Sequence, residues 1–269
     1  MEYRRIITWL CYLGLSFNLA WSQVLINGPL THEKEALPGD SYEDVIEITN
    51  PSDIPQEVKI YQTDYLFYAD GRILYGDPGK VPRSNANWII FSPKRLTIAP
   101  KESVKVYYTV KVPANQKLTG TYWSMLMVER IPPESPESSQ TKKDKLALGI
   151  LQVFRYGIQI VTHISQTGSR NIKFLSSRLY KKDKFQYFEL DVENTGERWL
   201  RTTMWLELYD LNGNFYGKFE GERLRIYPAT SVRYTIDLSN VPNGTYKGLV
   251  IIDCGNNTVF GANFNLVIK

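Results

Sequence analysis

Histidine and cysteine, the side chains that most often bind metals or act as bases and nucleophiles near neutral pH, are scarce in this chain. His32, His163, Cys11 and Cys254 are the whole stock in 269 residues. That stock excludes a His-rich or Cys-rich metal centre and argues against a Ser-His-Asp or Cys-His enzyme. Cys254 precedes Gly255 with no adjacent base or histidine, so it reads as a semi-buried bystander. Asp210-Leu-Asn212-Gly-Asn214 alternates oxygen-bearing side chains as a calcium loop does, but Gly221 stands where the closing Glu belongs. An Asn-Gly turn between two strands explains it better. Glycoside chemistry needs two carboxylates at a fixed separation, and no spacing singles out a pair among the acids. Asp64, Asp70 and Asp77 with Tyr65, Phe67, Tyr68 and Tyr75 have the make-up of an aromatic sugar platform. A hairpin with aromatic cross-strand pairs accounts for the same residues. The expectation is a protein with no enzymatic activity, no cofactor and no metal.

Composition sets the frame for these residues. Hydrophobic residues at 43% and charged residues at 22% suit a chain that buries a core. The 18 Tyr, 11 Phe and 6 Trp favour strands over helices. A net charge of +4, dispersed along the chain, does not mark a nucleic-acid binder.

Residues 1–22 read as a secretory signal. Arg4 and Arg5 give the charged start, Ile6 to Trp21 carries no charge, and Ala20 and Ser22 sit at the −3 and −1 positions of a cleavage before Gln23. The apolar run is shorter than the roughly 20 residues a membrane span needs. Cys11 follows Trp9-Leu10, without the small residue expected before a lipid-modified cysteine. The mature chain is therefore expected to be exported and soluble. It keeps one cysteine, Cys254, so its stability must come from packing and not from an internal disulfide.

Alternation predicts strands almost everywhere, because successive side chains of a strand face opposite ways. Val104, Val106, Tyr108 and Val110 alternate with polar or exposed-type neighbours. Phe188, Leu190 and Val192 do the same, as do Met204, Leu206 and Leu208, and Val232, Tyr234 and Ile236. Tyr122 to Val128 is apolar on both faces and predicts a central strand. Asp70-Gly71, Asn212-Gly213 and Asn243-Gly244 are expected to supply the positive φ of tight hairpins. Pro38-Gly39, Asn50-Pro51 and Pro100 also punctuate. No mature segment shows a sustained 3.6-residue period. The expected class is all-β, with two immunoglobulin-like sandwiches.

Pro132 to Lys145, PPESPESSQTKKDK, contains no aliphatic or aromatic residue and is expected to be a solvated loop. The strand expected after it spans Leu146 to Ile164. A second quiet stretch, Ser165 to Arg170, marks the expected domain boundary. The first domain then covers 23–164, with 132–145 as a long hairpin loop, and the second covers 165–269.

With these elements in order, the first half resembles the N-terminal domain of the periplasmic pilus-assembly chaperones, the PapD-like family. The resemblance rests on Asp40-Ser-Tyr-Glu-Asp-Val-Ile-Glu-Ile-Thr-Asn50-Pro51, on Phe91-Ser-Pro-Lys-Arg-Leu-Thr-Ile-Ala-Pro100, and on Tyr122-Trp123 followed by Ile131-Pro132-Pro133. A polar loop and a long strand come next, as in that family. Residues 36–163 carry it; over 171–269 only a second sandwich of suitable size does.

The resemblance implies a function. In that family the long strand donates alternating hydrophobic residues to an incomplete pilus subunit, the backbone edge supplying hydrogen bonds. Leu146, Leu148 and Ile150 share one parity and match the donors; Arg155, of opposite parity, matches a basic residue that faces the interdomain cleft and pairs with a subunit's terminal carboxylate. The family's further basic residue in the first strand has no match within Val24 to Thr31, which contains neither Arg nor Lys; Lys34, a poor substitute, and His32 are the nearest bases. The implied partner is a secreted or pilus-type protein subunit, with an outer-membrane assembly partner, and the implied location is periplasmic. Sandwiches of this type also occur in bacterial surface proteins, so a cell-envelope module that binds a glycan or protein through loops is the alternative.

Overall fold

The computed structural model describes residues 24–133 and 153–269. Residues 1–22, expected to be a secretory signal, most of the 132–145 stretch, and Leu146, Leu148 and Ile150 lie outside the described residues. In chain order the strands are β1 (Leu25–Asn27), β2 (Thr31–Ala36), β3 (Ser41–Thr49), β4 (Gln56–Phe67), β5 (Ile73–Gly76), β6 (Ile89–Ser92), β7 (Arg95–Ile98), β8 (Ser103–Lys111), β9 (Gly120–Ile131) and β10 (Arg155–Ile164). After them come β11 (Ile172–Lys182), β12 (Phe185–Asn194), β13 (Leu200–Tyr209), β14 (Phe215–Ile226), β15 (Ser231–Asp237), β16 (Gly244–Asp253) and β17 (Val259–Ile268). One short 3-10 turn, Ala86–Trp88, is the sole helical element among the described residues.

The strands form two sandwiches of immunoglobulin-like build. In the first, a sheet ordered β1-β3-β8-β6 faces one ordered β2-β10-β9-β4-β5, with β7 also on β4. In the second, β11-β12-β15 faces β14-β13-β16-β17. The alternation read in the sequence sets each core. Val106, Tyr108 and Val110 of β8 meet Leu126 and Val128 of β9 and Ile158 and Ile160 of β10 in the first. Phe188, Leu190 and Val192 of β12 meet Met204, Leu206 and Leu208 of β13 in the second. β9 lies between β10 and β4 and is buried on both faces over most of its length, as the Tyr122–Val128 run predicts.

Turn chemistry divides less cleanly. Gly71 and Gly213 take φ of +88° and +86° at their hairpins, and Gly39 takes +95°. Gly244 does not: it is the first residue of β16 and pairs with Ile268. The chain instead turns just before it, where the Val241 amide donates to the Leu238 carbonyl. Asn50 is fully buried, and its side-chain amide caps the carbonyls of Ile54, Ile98 and Ala99 at 2.8, 3.1 and 3.0 Å.

The first strand changes sheets. β1 runs antiparallel to β3, the chain bends at Gly28 (φ +118°), and β2 then runs parallel to β10, Thr31 opposite Gln159 through Ala36 opposite Ile164.

Candidate interaction sites on β10 and between the sandwiches

β10 carries the site. β9 pairs it along its whole length, from Arg155 opposite Glu129 to Ile164 opposite Gly120. On its other flank the ladder to β2 begins only at Gln159, whose amide also donates to the Leu30 carbonyl at 2.9 Å. From Arg155 to Ile158 that flank has no backbone partner among the described residues. Just ahead of it, Val153 and Phe154 are exposed.

Parity sorts the strand's side chains. Tyr156, Ile158 and Ile160 pack into the first sandwich's core. Arg155, Gly157, Gln159, Val161 and His163 face the other way. On this face Val161 joins Trp123, Trp199 and Tyr227 in a small apolar cluster that spans both sandwiches. Gln159 accepts a hydrogen bond from the Tyr227 hydroxyl. Arg155 stands on the same face but short of the contact. Its Nε donates to Glu129 Oε2 at 2.9 Å, and more than half of the side chain is exposed. Glu129 also accepts from the Tyr61 hydroxyl at 2.8 Å and meets Lys59 Nζ at 3.3 Å.

Arg155 thereby borders a groove of about 600 Å³ with Tyr61, Tyr75, Met125 and Met127. Every lining residue belongs to the first sandwich. Gly157 floors it because a Cβ there would stand 2.7 Å from the Met125 methyl. Flexible thioethers beside aromatic rings make an adaptable apolar lining.

A second groove, of about 450 Å³, lies between the sandwiches and is strongly polar. The acids come from β2, and the bases come from both sandwiches: Lys34 of β2 and His163 of β10 in the first, Arg198 and Arg201 in the second. Glu33 pairs with Arg201 at 2.5 Å and His163 Nε2 at 3.3 Å, and Glu35 pairs with Arg198 at 3.3 Å. Arg198 is buried and also donates to the Ser165 carbonyl at 2.5 Å. Nδ1 of His163 lies 2.9 Å from Thr121 Oγ1, which accepts from the Trp199 amide at 3.0 Å. Burial, helped by the Arg198 charge and opposed by Glu33 and Glu35, pushes the His163 imidazole below its ordinary range. Where the sequence pattern left the first strand without a base, this stretch of chain presents carboxylates, and guanidinium groups answer from β13 and the residues just before it.

The remaining sequence candidates resolve as structural parts. Tyr65 and Tyr75 pair across β4 and β5 with ring centroids 5.6 Å apart, the hairpin arrangement. Asp64 is buried and accepts from the amides of Gly79, Lys80 and Val81 at 3.0, 2.7 and 2.8 Å. Asp210 closes its turn by accepting from the Asn212 and Asn214 amides, both at 2.8 Å. Cys254 is buried, and burial raises its thiol to about 11, which leaves it protonated and unreactive at neutral pH. Among the described residues no cluster of His, Cys, Asp and Glu has the make-up of a metal site, and no helix is long and apolar enough to cross a membrane.

No protein-family model and no curated protein matches the chain. Solved structures do. A chain from the chaperone–tip adhesin complex of CFA/I fimbriae biogenesis aligns over 92% of this protein and 100% of its own length, at 15% identity and a TM-score of 0.48. The class 5 fimbriae chaperone CfaA aligns over the same shares at 15% identity and a TM-score of 0.46. The Escherichia coli chaperone DraB aligns over 92% of this chain and 97% of its own, at 16% identity and a TM-score of 0.42. At these levels of identity the likeness is one of fold.

Proposed function

We propose that the protein is an exported, chaperone-like binding protein that holds a secreted or pilus-type subunit by edge-strand pairing. The observation that supports this reading is the flank of β10 from Arg155 to Ile158, which has no backbone partner among the described residues and follows the Leu146–Phe154 stretch in sequence. A free flank of this kind offers amides and carbonyls at the spacing of an added strand, and alternate side chains then select the partner. Leu146, Leu148 and Ile150 share the parity of Tyr156 and Ile158 and are the proposed anchors. Arg155 is the proposed contact for a partner carboxylate, since its exposed guanidinium can exchange Glu129 for an incoming acid. The order of sequence motifs through residues 40–133 supports the same reading. Export would place the protein in the periplasm, with an outer-membrane assembly partner receiving the subunit.

Pull-down from the exporting compartment is expected to recover a small subunit that lacks one strand of its own fold. Leu148→Asp is expected to abolish that capture and leave the melting temperature unchanged. Unchanged capture by Leu148→Asp would remove the donor-strand reading. A surface adhesin would instead keep its ligand in Leu148→Asp and lose it when Tyr65 or Tyr68 is truncated.

A further inference from the structure

The face of β13 and β14 that borders β2 carries a register of arginines that packing alone does not explain. Arg201 of β13 and Arg225 of β14 stand directly opposite each other, and Arg223 stands opposite Thr203. Like charges directly opposite on paired strands repel, so this placement works against the sheet. Both Arg201 and Arg225 lie over the Trp199 ring, their Cζ atoms 5.1 and 5.5 Å from its centroid. Arg201 has a carboxylate in Glu33, whereas among the described residues Arg225 reaches Thr31 Oγ1 at 3.1 Å and Arg223 reaches Thr203 Oγ1 at 3.4 Å. The three guanidiniums line an open recess of about 500 Å³.

A second observation gives the recess a direction. β14 ends its sheet, and among the described residues its ladder partner is β13 alone. Arg223 and Arg225 are two residues apart on this edge, so they share a face and repeat at a strand's side-chain period of roughly 7 Å. A strand added along β14 would carry its own same-face residues at that period. An acid at each such position would sit within reach of a guanidinium with no carboxylate of its own.

We propose that the β14 edge binds an extended, acidic segment of a protein partner, with Arg223 and Arg225 pairing alternate carboxylates and Arg201 bordering the site. Period-two charge complementarity along an edge with no second ladder partner among the described residues favours an extended peptide over a compact anion. The site is on a different sandwich from the β10 flank, so Leu148→Asp leaves it intact and the two readings fail separately.

The test is binding of a blocked peptide that alternates glutamate with valine to the full mature protein at low ionic strength. Binding is expected to weaken about tenfold or more when glutamine replaces glutamate, and equally in the Arg223→Gln/Arg225→Gln protein. Methylating alternate backbone amides of the peptide is expected to weaken it as well, because strand addition uses those groups. Both arginines are exposed, and Arg225 also touches Thr31 and the Trp199 ring, so the double variant is expected to stay folded with a melting temperature lowered by a few degrees at most. Equal binding of the glutamine peptide overturns the proposal. Inorganic phosphate binding with the same arginine dependence, together with indifference to amide methylation, overturns it in favour of a small-anion site. Self-association of the double variant without any peptide binding by the wild type shows instead that the arginines only guard an exposed edge.

Discussion

The rings of Trp123 in the first sandwich and Tyr227 in the second lie nearly parallel, with centroids 4.7 Å apart and planes 19° apart. Both side chains are almost wholly buried. Trp199 and Val161 close the cluster, and Trp123 Nε1 donates to the Tyr65 carbonyl at 2.8 Å. The contact has an apolar centre and a charged rim of Arg83–Glu197, Arg198–Glu35 and Arg201–Glu33. Burial of the aromatic faces supplies most of the attraction, and the exposed part of the rim fixes orientation more than it adds stability.

Truncating Tyr227 tests that division. Tyr227→Ala is expected to cost about 3–5 kcal/mol and to split guanidinium unfolding into two transitions, one per sandwich. Tyr227→Phe loses only the hydroxyl's bond to Gln159 and is expected to cost about 1 kcal/mol within a single transition.

Gly120 permits the sandwiches to approach. Its φ is +73°, and a Cβ there would stand 2.2 Å from the Glu197 carbonyl oxygen. Gly120→Ala is expected to cost more than about 2 kcal/mol by thermal melting, because backbone must move on both sides. Gly71→Ala is the control: φ is +88° but no atom lies within 4 Å of the added carbon, so conformational strain of about 1 kcal/mol is the whole effect.

His163 makes the sandwich contact sensitive to acid. Burial, helped by the Arg198 charge, disfavours its protonated form in the folded protein and holds the imidazole below its ordinary range. As pH falls through about 6.5 the unfolded chain binds a proton that the folded chain does not, so stability declines and then levels below the folded pKa. His163→Gln is expected to flatten the fall of unfolding free energy as pH drops below about 6.5; an unchanged slope overturns this assignment. Acid loss below about pH 4 is expected to persist, because Asp191, held low by the Arg233 guanidinium, still has to protonate.

Asp64 fixes the loop that leads into the Ala86–Trp88 turn. Besides three amides it accepts from Ser84 Oγ at 2.5 Å. Asp64→Ala leaves those donors without a partner and is expected to cost about 3 kcal/mol. Hydrogen exchange at Gly79, Lys80 and Val81 is expected to accelerate well beyond that of the β8–β9 core.

Alternation made most of the strands legible, because a half-buried strand writes its two faces directly into residue types. β2 was not legible that way. Its sequence, THEKEA, is polar except at Ala36, since it is held by backbone pairing to β10 and by charges toward the second sandwich. Asn243-Gly244 misled for a related reason: the dipeptide suits a tight turn, but the bend forms just before it and Gly244 enters β16. Arg155 could be placed on the outward face of its strand by parity, whereas the groove it lines is built by β4, β5 and β9, which parity does not reveal. Trp123, Trp199 and Tyr227 look like ordinary strand and corner aromatics in the sequence. Their meeting depends on how two finished domains dock. The same holds for Glu33 and Glu35, whose guanidinium partners come from the other domain.

The parallel seating of β2 on β10 has a consequence for the order of assembly. A chain that emerges from its N-terminus holds residues 31–36 long before residues 159–164 exist to receive them. The first sandwich cannot seal until nearly two-thirds of the polypeptide has been delivered. Closure over so long a loop is entropically slow, so a chain made from its N-terminus keeps this seam open until β10 has been made.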